Sequence, residues 1–466
     1  MKKLFTFLLL IGATTLMAQI VPHALVKVTE NGMDYWIIDT PQDLIWLAST
    51  TDLNADGGGN DFADLDVKWA ANYRLGADIT FPADPASYDW NNDGNPSNDA
   101  YGLPTISAED YDAEPVLNPF TGHFNGQFYT IENAYKNYVN EDKGNAVVGL
   151  FGFVDGATIE NLRMLNINFT SHTRQNAGVV AHQYTEVDNA RPITLRRLWV
   201  EGVLHSPHYK SKEILNSAGI AGTLKLGEIT ECVVKITSTT DLAQQTKRQG
   251  GIVGSQLGGL IKNSYSISTI TSFNHGGQIV GLQKEEATIE NCYAAGVVTG
   301  DASKKFGSFA GQLSTDSTSS YWDIDLQTLA VGGDSGFAEV GLTTAQFATS
   351  SNFVGWDFAN TWVIGDVNGV QRPYLQWQDL TPGTMLSVDN ISLDVSLLRA
   401  YPNPVSSRLT IENAPVNAQF SMTNLLGQEQ VSGTIEGTSM QLNVESYNKG
   451  IYILRVGDTS SKIVIE

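Results

Sequence analysis

The sequence predicts an all-β protein: a right-handed parallel β-helix (a solenoid) followed by a small C-terminal antiparallel β-sandwich. Three observations carry that prediction. A Gly-flanked unit recurs through the middle of the chain, a β-branched segment alternating with period two follows most copies, and separate strand signals crowd residues 396–466. The length of 466 residues suffices for about three domains at ~150 residues each, and the 42% hydrophobic content supports a large core. Only 17% of residues are charged, with 28 Lys and Arg against 50 Asp and Glu, a net charge of −22. Such a chain repels phosphate backbones and anionic lipid. Nucleic acid is therefore excluded as a partner, while calcium and carbohydrate stay open.

Residues 1–18 have the form of a signal peptide. Lys2 and Lys3 precede an apolar run from Leu4 to Ala13, and Ala18 stands ahead of Gln19. That run is too short to cross a bilayer, and no other stretch approaches the ~18 apolar residues of a spanning helix, so no transmembrane segment is expected. Residues 19–146 then serve as the lead-in and N-terminal cap of the solenoid.

Residues 147–378 hold the repeats and the C-terminal cap of the solenoid, the unit recurring as Gly149-Leu-Phe-Gly152, Gly178-Val-Val-Ala181, Gly219-Ile-Ala-Gly222, Gly251-Ile-Val-Gly254, Gln278-Ile-Val-Gly281 and Ser308-Phe-Ala-Gly311. Closing residues fall 29, 41, 32, 27 and 30 apart, and the long 181–222 interval predicts an excursion from the coil. The second half of the unit follows as Ile159-Glu-Asn-Leu, Ile229-Thr-Glu-Cys, Ile261-Lys-Asn-Ser and Ile289-Glu-Asn-Cys. One such unit cannot bury its apolar face, whereas stacked units share a core and pair rung to rung at ~4.8 Å. Glycine at the corners supplies left-handed or crowded backbone. A propeller is the architectural alternative, but its blades of ~40–45 residues hold four strands each.

Cys232, Ser264 and Cys292 occupy one slot in three successive units. The two sulfurs should lie two rungs, about 9.6 Å, apart. A disulfide needs Cα atoms within ~7 Å, so both are expected as buried free thiols.

Two loops spell D-x-N-x-D-G: Asp52, Asn54 and Asp56 before Gly57, and Asp89, Asn91 and Asp93 before Gly94. Alternating oxygens ahead of a glycine wrap calcium at ~2.3–2.6 Å. Position 12 is Ala63 or Ala100, however, so the bidentate Glu of an EF-hand is missing, and Asp64 or Asp99 would serve only with different geometry. The same letters are ordinary turn residues, and both readings stand. Gly333-Asp-Ser335-Gly336 resembles a protease nucleophile motif without a matching histidine context and is read as a turn. His205 and His208 lack the H-E-x-x-H arrangement of a zinc protease. Asp241, Lys247, Arg248, Lys284 and Glu285 are candidates for lyase or glycosidase chemistry, though their spacing does not set them apart from a solvated coil face. The aromatic series Trp199, Tyr209, Tyr265, Phe273, Tyr293 and Trp322 suits either sugar stacking or packing between rungs.

A linker is expected over 379–395. Beyond it, short strands at Leu409–Ile411, Phe420–Met422, Gln441–Val444, Ile451–Val456 and Lys462–Ile465, with turns at Gly427 and Gly450, predict the sandwich.

Two resemblances follow from these residues. Gly251-Ile-Val-Gly254 followed by Ile261-Lys-Asn-Ser-Tyr-Ser266 is similar to the GLUG repeat of bacterial surface proteins, and Asp43–Ala48, Phe124–Ile131 and Pro373–Trp377 are similar to the flanks of those proteins. The segment 396–466 resembles the type A sorting domain of the type IX secretion system, through Tyr401-Pro402-Asn403-Pro404, Asn424-Leu-Leu-Gly427, Gly450-Ile-Tyr-Ile and Lys462-Ile-Val-Ile465. The second resemblance implies a Gram-negative bacterium, transport by the type IX machinery, removal of the domain by its C-terminal signal peptidase, and a secreted or outer-membrane surface-attached product. Together they imply an adhesion protein for a glycan or matrix ligand, with a β-helix polysaccharide lyase or glycosidase as the alternative.

Overall fold

The computed structural model describes residues 24–466 apart from 31, 51–52, 54, 56–60, 91–100, 108–117, 139–146, 172–174, 184–190, 208–215, 241–247, 273, 285, 301–303, 334–339, 383–398, 402, 413–417, 425–427, 436, 438, 457–458 and 466. The chain divides into two units, Met1–Gly383 and Thr384–Glu466.

The first unit is a β-solenoid, as the repeats predict. One complete coil shows its plan. Arg248–Gly250 and Val253–Gln256 flank the first glycine corner, then Gly259–Lys262, Tyr265–Ser266 and Thr269–Ser272 complete the turn before His275–Gly277 begins the next. Parallel pairing of equivalent strands builds three ladders, with Val253 opposite Val280, Ile261 opposite Ile289 and Gln249 opposite Gly276. Apolar residues of the repeat fill the interior: Ile220, Ile252, Ile279 and Phe309 in one column, and Ile159, Leu195, Ile229, Ile261 and Ile289 in another, all essentially without exposure.

The parallel ladder begins well before residue 147. Met33–Ile38 pairs with Asn72–Leu75, which pairs with His123–Asn125, which pairs with Thr158–Ser171. Helix α1, Pro41–Ala48, starts at Thr40 in a capping box with Asp43 and buries Leu44 to Ala48 against the first rungs. Helix α2, Leu65–Ala70, starts at Asp64, whose Oδ1 accepts the Val67 amide at 3.0 Å. From α2 the buried Lys68 ammonium donates to the Trp46 and Ser49 carbonyls at 2.7 and 2.8 Å, closing the C-terminal end of α1.

The glycine expectation divides in two. A Cβ at Gly219 would strike the Val234 side chain and the Gly251 carbonyl, so that corner is crowded rather than left-handed. The left-handed corner lies elsewhere, at Asn161, Arg197, Glu231, Asn263, Asn291 and Ser319, with φ between 47° and 55°. Asn tolerates this region best of the non-glycine residues, and Asn291 Nδ2 donates to Asn263 Oδ1 at 3.2 Å along the column.

Cys232 and Cys292 are buried free thiols, as the register requires. Their slot is continuous: the Tyr265 amide donates to the Cys232 carbonyl, and the Tyr293 amide to the Ser264 carbonyl.

The second unit consists of small antiparallel sheets. Four strands run Glu429–Ile435, Ala418–Asn424, Gly450–Val456, Thr459–Ile465, and three run Arg399–Tyr401, Arg408–Glu412, Ser439–Asn443. Leu409, Ile411, Phe420, Met422, Ile435, Leu454 and Ile463 form its core. The strand Glu429–Ile435 carries no clear apolar alternation in the sequence, because polar residues occupy its outward positions.

Candidate functional site

One outward column of the solenoid decides what its surface can do. Register places Arg163, Trp199, Val233, Tyr265, Tyr293 and Tyr321 on successive rungs. Tyr265 and Tyr293 stack at 4.7 Å with planes 7° apart, close to the rung spacing itself. These rings do not face water. Residues 343–380 form a strap that runs back over the column against the order of the repeats.

The strap holds each rung in turn. The Trp356 indole donates to the Ser319 carbonyl at 2.8 Å, and Tyr293 Oη donates to the Pro373 carbonyl at 2.7 Å. Next, Tyr265 Oη donates to Gln378 Oε1 at 2.9 Å, and the Trp377 indole donates to the Glu231 carbonyl at 2.9 Å. Last, the Arg163 guanidinium donates to the Gln378 and Leu380 carbonyls at 3.2 and 2.7 Å. Trp356 and Trp362 stack at 4.3 Å above Tyr293. Burial pushes the Tyr265 and Tyr293 hydroxyls up from their ordinary value.

Three of the six aromatics in that series are packed away. Tyr265, Tyr293 and Trp322 are at most 8% exposed, while Tyr209 and Phe273 lie outside the described residues. Trp199 is half-buried, its indole donating to Glu201 Oε1 at 2.9 Å.

Beside Trp199 the strap stands off the rungs and a groove of about 430 Å³ opens. Its floor is the ion pair of Lys235 with Glu201 at 3.3 Å and the half-buried Ile267. Its overhang is the hairpin Trp362–Val367 and Val370–Leu375, whose turn places Asp366 and Asn368 at the mouth. Asn368 and Gly369 both have positive φ, and the Gly369 amide donates to Asp366 Oδ1 at 2.8 Å. At the far wall Tyr374 Oη donates to Asp379 Oδ2 at 2.8 Å, and that hydrogen bond, with burial, raises the phenol above its ordinary value.

A second polar cluster lies on the same sheet near its start. Glu160 is buried and receives His123 Nε2 at 2.9 Å and the Arg196 guanidinium on its other oxygen, while His123 Nδ1 meets Tyr35 Oη at 3.0 Å. Burial pushes the Glu160 carboxyl up, but the His123 hydrogen bond and the Arg196 charge outweigh it and hold the group at about 2. This cluster ties together residues from four strands of the ladder.

Of the proposed calcium ligands, Asp52, Asn54, Asp56, Asn91 and Asp93 lie outside the described residues; Asp89 is described, next to Trp90, which packs on Phe81 at 4.9 Å. Asp64 is engaged as the cap of α2. Among the described residues no group of three His, Cys, Asp or Glu side chains could hold a metal. Of the lyase candidates, Asp241, Lys247 and Glu285 are outside the description, Lys284 is exposed, and Arg248 donates to Ser255 Oγ at 3.0 Å. Ser335 and His208 are likewise outside it, and His205 meets Thr239 Oγ1 at 2.8 Å.

In the C-terminal unit Tyr401 closes a strand, Asn403 Oδ1 accepts the Val464 amide at 2.8 Å, Asn403–Pro404 is cis, and Gly450 opens a strand at φ 157°. Pro402 and Gly427 lie outside the described residues.

Residues 399–466 match the secretion system C-terminal sorting domain. The sorting domain marks the chain for type IX secretion and therefore as a secreted or cell-surface protein. The solenoid is similar to a solved structure described as a putative immunoglobulin A1 protease from Bacteroides ovatus, at 17% identity and a TM-score of 0.50, over 74% of this chain and 93% of that one. A second solved structure, described as an IgA1 protease, aligns at 14% identity and a TM-score of 0.38, over 86% of this chain and 33% of that one. The first likeness bears on fold alone. No curated protein matches the chain. No helix among the described residues is long and apolar enough to cross a membrane.

Proposed function

We propose that this chain is a GLUG-type β-solenoid, exported by type IX secretion across the outer membrane of a Gram-negative cell, that acts there by binding a glycan or matrix ligand. The sorting domain is removed by the C-terminal signal peptidase during export. The observation that carries the reading is the strapped outer face: Tyr265 and Tyr293 are covered, and a groove of mixed polar and apolar lining is left open beside Trp199 on the ladder. Calcium held by the loops at Asp52–Asp56 and Asp89–Asp93 would brace the N-terminal region.

The test has two arms. Removing 384–466 should leave a folded solenoid that accumulates in the periplasm, since the cut falls at the boundary between the two units. The secreted protein should retain polysaccharide or matrix in a pull-down without changing it. Release of reducing or unsaturated sugar ends would make it a glycosidase or lyase instead. Cleavage of immunoglobulin A1 would place it with the activity named in the description of the Bacteroides ovatus structure.

A further inference from the structure

We infer that the groove between the hairpin and the rungs of Glu201, Lys235 and Ile267 is the saccharide site, and that it takes neutral or amine-bearing sugars rather than acidic ones. This rests on the binding reading above and deepens it. Three features point to a sugar. Ile267, Val233 and Trp199 line the groove and give an apolar patch, on which the C–H face of a pyranose can lie. The volume of about 430 Å³ holds a short oligosaccharide in an open groove rather than a closed pocket. Its polar groups are already oriented: Glu201 by Lys235 and Trp199, Asp379 by Tyr374, Asp366 by the hairpin turn. Preorganised carboxylates accept pairs of sugar hydroxyls without first giving up side-chain freedom.

Charge then selects among sugars. Lys235 neutralises Glu201, which leaves Asp366 and Asp379, both exposed and neither ion-paired among the described residues, as two negative charges on the groove. The whole chain adds a field of the same sign, at −22. A uronate or sulfate group entering there meets like charge, whereas a protonated amine meets attraction. The acidic polymers cut by many lyases are thus poor occupants.

The experiment titrates the purified full chain with tetrasaccharides of glucosamine, of N-acetylglucosamine and of galacturonate. The glucosamine chain should bind tightest, the N-acetylated chain next and galacturonate at least tenfold more weakly, with the preference shrinking as salt rises. The double substitution Asp366→Asn with Asp379→Asn should remove the preference for the amine, and Ile267→Trp, which fills the groove, should weaken all binding at least tenfold. Glu286→Gln, on an exposed corner outside the groove, is the control. If sugars bind but these variants bind as wild type, or if galacturonate binds best, the groove assignment is wrong and the binding reading stands. If none of the three probes binds, both fall.

Discussion

Substituting Glu160→Gln isolates the buried cluster that joins the first rungs. The carboxyl sits at about 2 against an ordinary value of 4.5, because burial, which disfavours its charge, is outweighed by His123 and Arg196. A difference of ~2.5 units at 1.36 kcal/mol each corresponds to about 3 kcal/mol. The carboxyl's folded-state value is lowered, so its stabilisation is complete above about 4.5 and is lost as pH falls toward about 2. Roughly two-thirds of it should be gone by pH 3. The variant should therefore be about 3 kcal/mol less stable than wild type at pH 7, and only about 1 kcal/mol less stable at pH 3. Other carboxylates titrate in both proteins, so the informative quantity is the gap between them. Urea midpoints from tryptophan fluorescence at pH 7, 5, 4 and 3 give that gap directly. A gap that does not change with pH would show that Glu160 contributes through packing and shape rather than through its charge.

Three further outcomes follow from named contacts. Trp377→Ala should release the strap at a cost of about 3–5 kcal/mol, seen as early proteolysis within 343–380 and a lowered melting temperature; unchanged cleavage would refute the account of the strap. Burial pushes the Cys232 thiol up and the Cys292 thiol up to about 12, so neither should react with iodoacetamide at pH 8 until the solenoid unfolds, and native labelling would break the register. Chelation should lower the melting temperature and millimolar calcium restore it if the D-x-N-x-D-G loops bind the ion; identical melts would leave them as turns.

The coil was legible because its repeat writes the same chemistry into the same slot each time. Cys232, Ser264 and Cys292 align in the sequence and align in the ladder, where the amide of the next residue on the following rung donates to the carbonyl of each. The left-handed corner stands one residue earlier, as Glu231, Asn263 and Asn291, where no glycine marks it. Two of those three are Asn, the residue that tolerates positive φ best, and that was the available signal. The aromatic column could also have been read, one residue after the cysteine slot, as Val233, Tyr265 and Tyr293. Its covering could not. The strap lies 80 residues or more along the chain from the rungs holding Tyr293, Tyr265, Glu231 and Arg163, and nothing in its local pattern says which face it crosses. The groove depends on that crossing, so it too was invisible.

Val233 shows how sequence and strap fit each other. Along a column of large side chains, Trp199 on one side and Tyr265 on the other, the rung between them carries a small one. A ring there would continue the stack at rung spacing, as Tyr293 does beside Tyr265. Its absence leaves a notch that opens into the groove, which Val233 lines, and beside it Trp377 is 5% exposed, meets Trp199 edge-on at 6.5 Å, and reaches the Glu231 carbonyl two residues before Val233. That indole packs on Phe128 at 5.5 Å as well as on Trp199, and its N–H bonds to a backbone carbonyl of the rung itself. With Trp377 seated there and Arg163 holding the strap beyond it, the hairpin overhangs Lys235 and Ile267 instead of collapsing onto them. The small residue in the column and the open groove beside it are two consequences of one packing choice.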